Sequence, residues 1–114
     1  MKRLCDYRDE VLKEMVINKT LDYVDGEFYI AEGIKSQEIG EALIRRFSEK
    51  LNDALHESYS KAILHEANTE KIISEWVNDF ADIVIDLCAT FDIQFSKETI
   101  ENKLRQNLDA RYKQ

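Results

Sequence analysis

Proline is absent from all 114 residues, and the three glycines, Gly26, Gly33 and Gly40, fall within the first 40. These two residue types interrupt helices most strongly, so nothing after about residue 41 forbids a helix. The chain therefore divides into an opening part, where turns are chemically supplied, and a long remainder. In the remainder, only capping residues and apolar spacing set the breaks.

The apolar spacing is helical in four places. Asp6 to Ile17 puts Tyr7, Val11, Leu12, Met15 and Val16 on one face, and Asn18 is a plausible terminator. From Ser36, a candidate cap, Ile39, Leu43, Phe47, Leu51 and Leu55 recur at steps of four, in a helix that ends at His56 or runs on to Leu64. Asn68-Thr69 marks the next break, with Thr69 a candidate N-cap. After it Ile72, Ile73, Trp76, Phe80, Ile83, Val84 and Leu87 form the strongest apolar stripe in the chain. A turn near Asp92-Ile93 leads to Ser96 and Thr99, then to a last helix in which Ile100, Leu104 and Leu108 face inward. Its end is basic, with Lys103, Arg105, Arg111 and Lys113. Between Thr20 and Ile30 the pattern changes: Asp25-Gly26 separates Leu21, Tyr23 and Val24 from Phe28, Tyr29 and Ile30. That arrangement signals a β-hairpin, and an irregular loop is the open alternative. The expected fold is mainly α, an antiparallel bundle of about four helices in one domain over residues 1–114, with a short hairpin near residues 20–31.

Composition narrows the function classes. The chain is 44% apolar and 34% charged, which places it among folded globular proteins. It has no apolar run long enough for a membrane span and no secretory leader pattern in Met1 to Leu12, so a cytoplasmic location is expected and a membrane partner is not. A net charge of −7 argues against nucleic acid as a partner, because following a phosphate backbone requires clustered Lys and Arg. Cys5 and Cys88 have no ligand spacing and read as buried free thiols. His56 and His65 stand alone in amphipathic segments, and neither a nucleophile elbow nor a P-loop occurs.

The acids carry the informative pattern. Glu75, Asp79, Asp82 and Asp86 fall at steps of four, three and four, a single stripe beside Trp76, Phe80 and Ile83. Like charges so placed repel one another by a few tenths of a kcal/mol per pair. Two readings are open: a divalent cation such as Mg²⁺ offsets the repulsion, or the stripe is a solvated face, paired in part with Arg45 and Arg46. One helix earlier stand Glu38 and Glu41, then Glu49 and Asp53, and helix bundles build metal sites from carboxylates on facing helices.

These residues resemble the MazG-like, all-α nucleoside triphosphate pyrophosphohydrolases. Gln37-Glu38-Ile39-Gly40-Glu41 is similar to the family's first acidic motif, and Glu75-Trp76-Val77-Asn78-Asp79 to its second. Lys103-Leu104-Arg105-Gln106-Asn107, followed by Ala110-Arg111-Tyr112, is similar to its KxxxN and RY ending. The resemblance implies Mg²⁺-dependent (or Mn²⁺-dependent) hydrolysis of a nucleoside triphosphate to the monophosphate and pyrophosphate. It assigns Glu38 and Glu41 as catalytic residues and metal ligands, Glu75, Asp79 and Asp82 as further ligands, and Lys103 and Asn107 as substrate-binding residues. Trp76 stands where the second motif has its second acid, so Asp79 and Asp82 would supply the pair in a shifted register. If the chain reverses near Asn68 in a plain antiparallel hairpin, Glu49 and Asp53 replace Glu38 and Glu41. A different class of answer is a small acidic helical interaction or inhibitor protein without catalysis. For either class a homodimer or homotetramer is expected, because a chain this short cannot bury Phe28, Tyr29, Phe91 and Phe95 together.

Overall fold

The computed structural model describes residues 3–60 and 69–112. Helix α1 spans Leu4–Ile17, the hairpin strands are β1 (Leu21–Val24) and β2 (Glu27–Ile30), and three helices follow: α2 (Ser36–Ser60), α3 (Thr69–Thr90) and α4 (Lys97–Gln106). A short 3₁₀ turn, Ala110–Tyr112, closes the described chain. The fold is mainly α with a small antiparallel hairpin, as the spacing indicates.

Local chemistry explains the boundaries. α1 begins at Leu4, two residues before the periodicity becomes legible, because the Asp6 carboxylate reaches back to accept from the Arg3 backbone N–H at 3.0 Å. It ends with Asn18 as cap and Lys19 in the left-handed region, φ 62°, and the Thr20 N–H returns to the Met15 carbonyl at 2.9 Å. α3 ends in the same way, with Asp92 at φ 57° and the Ile93 N–H bonded to the Cys88 carbonyl at 2.7 Å. Both are Schellman stops built on a residue other than glycine. Ser96 caps α4 by accepting from the Thr99 N–H at 3.1 Å. In the hairpin, Asp25 and Gly26 both take positive φ, 51° and 82°, as a type I′ turn requires, and set the register Leu21 to Ile30 and Tyr23 to Phe28.

Consecutive elements pack on one another, α1 on β1, β1 on β2, α2 on α3 and α3 on α4, and α1 also packs on α2 across the intervening hairpin. α2 lies antiparallel to α1, since Glu14 meets Arg46 and Glu10 meets Lys50. α3 and α4 are antiparallel too, with Lys97 beside Asp82 and Arg105 beside Glu70. Ile39, Leu43, Phe47, Leu51 and Leu55 of α2 are all fully buried, as are Ile73, Ala81 and Val84 of α3 and Ile100 and Leu104 of α4. Phe80 is central: Tyr7 meets it edge-on with ring centroids 5.3 Å apart, and Phe47 lies 6.0 Å away.

One expectation changes. Cys5 is exposed on the first turn of α1, while Cys88 is buried as expected. The four aromatics expected to resist joint burial are not buried together: Phe91 is only 8% exposed, Phe28 and Phe95 are half-buried where the hairpin and the α3–α4 connection fold back onto the bundle, and Tyr29 stays 50% exposed. Tyr112 is also buried, against its own chain. His65, Leu64, Asn68 and Lys113 lie outside the described residues.

Candidate functional site

The relation of α2 to α3 decides which acids can meet. α2 runs unbroken through Ser58-Tyr59-Ser60, and Gly40 lies against the side chains of Ile93 and Phe95 beyond the end of α3. Ala54 and Asp79 line one cleft. The two helices therefore form the plain antiparallel pair. Glu41 is 13 residues from Ala54, about 20 Å along the axis at 1.5 Å per residue, so Glu38 and Glu41 sit at the opposite end of the pair from Asp79. Both are exposed.

Glu49 and Asp53 lie at a better level, yet they too are exposed. Around α2, Arg46 and Lys50 look toward α1, the apolar Phe47 and Leu51 enter the core, and Ser48 and Asn52 meet the end of α4. Glu49 occupies the remaining outer side, with Asp53 at its edge next to the row of Arg46 and Lys50.

On α3, Glu75, Asp82 and Asp86 are exposed and Asp79 is half-buried. Asp79 borders a cleft of about 250 Å³ with Arg3, Tyr7, Trp76 and Phe80. Asp82 is bound by Lys97, whose Nζ lies 2.8 Å from its Oδ1 and also donates to Asn78 Oδ1 at 2.6 Å, with Glu101 3.9 Å away. The hydrogen bond that Lys97 donates to Asp82 raises the Lys97 pKa, with burial opposing it and the charges of Asp82, Glu101 and Asp79 adding to it. An ammonium from α4 thus relieves part of the stripe's repulsion, where Arg45 and Arg46 were the partners suggested by sequence. Arg46 belongs instead to the α1 side.

The trailing motif holds the fold together. Asn107 is the C-cap of α4; its Nδ2 donates to Ser48 Oγ at 3.1 Å, and its carbonyl accepts from Asn52 Nδ2 at 2.9 Å. Asn52 Oδ1 in turn accepts from the Asp109 N–H at 2.9 Å. Arg111 Nη1 lies 3.2 Å from His56 Nδ1, and Arg105 donates to Ser74 Oγ at 2.8 Å. Lys103 is exposed on the outer side of α4.

One polar cluster has no counterpart in the sequence expectations. Between α1 and α2, Glu14 accepts from Lys50 Nζ at 2.6 Å and Arg46 Nη1 at 3.0 Å, with Glu10 3.6 Å from Lys50. Burial pushes the Glu14 carboxyl up, but the hydrogen bonds and charges of Lys50 and Arg46 outweigh it and leave the pKa lowered. Burial likewise lowers Lys50, and Glu14 and Glu10 outweigh it to leave the pKa raised. The matched spacing of acids at 10 and 14 and cations at 46 and 50 is the signal that could have revealed the pairing.

Mg²⁺ needs several hard oxygens converging on one point. Among the described residues no three Asp, Glu, His or Cys side chains come together to hold an ion. With Asp82 engaged by Lys97 and the α2 acids turned outward, the described residues assemble no such set of oxygens. No helix among the described residues is long and apolar enough to cross a membrane. Set against known proteins, the chain matches no family model, no curated relative and no solved structure.

Proposed function

We propose that this chain is a small acidic interaction protein, which presents the carboxylates of α2 and α3 to a basic protein surface. The observation that carries this reading is the division of charge. Arg46, Lys50, Lys97 and Arg105 are engaged by contacts within the fold, and Arg45 and Lys71 are the exposed cations among the described residues of α2 and α3, where Glu38, Glu41, Glu49, Asp53, Glu75 and Asp86 stand exposed and outnumber them. With a net charge of −7, such a surface steers a cationic partner and repels an anionic one. A cytoplasmic setting belongs to the same proposal, supported by two free cysteines. The test is binding of a labelled Lys/Arg-rich peptide by fluorescence anisotropy across a salt series. Reversing Glu49 and Glu75 to Lys should weaken it about tenfold, while reversing Asp22 and Asp25 on the hairpin should not. Equal effects from both pairs would reduce the interaction to net charge and defeat the proposal.

A second reading is retained on one observation: Asp79, at the position that resembles the family's second acidic motif, is half-buried in a cleft beside Trp76. Under that reading the chain is a nucleoside triphosphate pyrophosphohydrolase dependent on Mg²⁺ or Mn²⁺. Its test is pyrophosphate release from a set of (d)NTPs with either ion. Turnover that disappears in Asp79→Asn, with the melting temperature unchanged, would transfer the assignment to the enzyme. Absence of turnover with every nucleotide would remove it.

A further inference from the structure

The hairpin uses one set of its backbone groups and leaves another unused. Around its two-residue turn, Val24 with Glu27 and Asp22 with Tyr29 are the pairs that exchange N–H and carbonyl bonds, and the Ala31 N–H continues the ladder to the Thr20 carbonyl at 3.2 Å. The alternation turns the N–H and C=O of Phe28 and Ile30 away from β1. Among the described residues no backbone group outside the hairpin bonds to them. This open edge of β2 runs beside a groove of about 690 Å³, whose far wall is the end of α3 with Thr90 and Asp92 exposed on it. Leu12, Leu87 and Phe91, all buried, form its floor.

We propose that this groove takes an extended segment of a partner protein, which adds to β2 as a third, antiparallel strand, apolar at alternate positions and basic between them. The backbone selects the form of the occupant. N–H donors and carbonyl acceptors that repeat at every second residue are matched by another extended chain, whereas a helix has already paired its own such groups internally. A third strand also gives the sheet what a lone hairpin lacks in water. In an antiparallel pair, the residues that bond to Phe28 and Ile30 carry their side chains on the same face as theirs, the face packed on the core. The residues between them point outward, as Glu27 and Tyr29 do. Charge selects the composition. Glu27 and Asp92 line the groove, and Asp22 and Asp25 are exposed on the same hairpin, while Arg8, the lining cation, lies 3.5 Å from Asp9. A second copy of this chain would set another Glu27 and another net charge of −7 against these acids; a segment carrying Lys or Arg meets a complementary potential. The site uses β2 and the end of α3, and none of the outward acids of α2 and α3, so this proposal and the acidic-face reading can fail separately.

The probe is a short acetylated peptide of alternating valine and lysine, titrated into the full chain by isothermal calorimetry. Saturable binding is expected. Methylating the valine nitrogens removes the donors that face β2 and should weaken binding at least about tenfold, whereas methylating the lysine nitrogens, which point away, should change it little. Thr90→Trp, shown by circular dichroism to stay folded, fills the groove from its exposed wall and should weaken binding at least about tenfold. Reversing Glu49 and Glu75 to Lys should leave the contrast between the two methylated peptides intact, which separates this site from the acidic faces. Equal affinities for the two methylated peptides would mean that charge alone recruits them, and would overturn the proposal. So would a wild-type chain that binds no peptide at millimolar concentration, or binding that Thr90→Trp leaves unchanged.

Discussion

Glu14 is the residue whose loss should be felt most among the charged groups. It joins α1 to α2 by accepting from both Lys50 and Arg46, and about a third of its side chain is exposed, so solvent screens part of the attraction. Glu14→Gln removes the charge while keeping the shape, and leaves two cations four apart on α2. The expected cost is about 1–2 kcal/mol in urea unfolding. The pH dependence follows from the direction of each shift. The Glu14 carboxyl is held below its ordinary range, so its contribution is present above that range and fades as pH falls through the lowered value. Lys50 is raised, so its contribution is complete below the ordinary lysine range and fades as pH rises through the higher value. The Gln variant should lose the acid-side step and shrink the alkaline one; a stability profile identical to wild type would show that the cluster is energetically idle. At this scale the sequence was legible for apolar side chains and poorly so for polar ones. Burial of Phe47, Phe80 and Leu104 follows from period alone, whereas Lys97 finding Asp82, or Asn107 finding Ser48, depends on how two helices are rotated against each other. No one-dimensional spacing carries that rotation.

Gly40 shows what one missing side chain does for a pair of elements. A Cβ there would overlap the Phe95 ring and press on Ile93, so the α3–α4 connection can seat on α2 only while the position is bare. Alanine is the better helix former by about 1 kcal/mol, yet Gly40→Ala should destabilise by about 1–3 kcal/mol, because overpacking outweighs propensity. Chemical denaturation decides the sign, and a more stable variant would mean that Phe95 moves aside freely. The bare face of this glycine is turned to a connecting segment and not to a neighbouring helix. The helix starts and the hairpin turn were legible because Ser96, Asp25 and Gly26 do what their side-chain chemistry favours. The stops after α1 and α3 were legible too, at Asn18 and near Asp92-Ile93, although Lys19 and Asp92 there adopt a backbone conformation that glycine usually signals.

For the whole molecule, the order of the elements along the chain is nearly the order in which they touch. α1 with β1, the hairpin, α2 with α3, and α3 with α4 are neighbours in sequence, whereas α1 with α2, α2 with α4 and α1 with α3 are longer closures. Contacts of short sequence separation involve small loop-closure entropies, which is the condition for rapid folding. No proline is present to impose a slow isomerisation in the unfolded chain. Dilution from urea should therefore return the native signal in one exponential phase within milliseconds, with no component of seconds or longer. A slow phase at micromolar concentration whose rate rises with concentration would be bimolecular and would report pairing of chains. A slow phase independent of concentration would contradict the expectation drawn from this topology. Read kinetically, the neighbour-on-neighbour packing makes this a chain that can assemble from its start as it is synthesised, each new helix meeting a surface already in place.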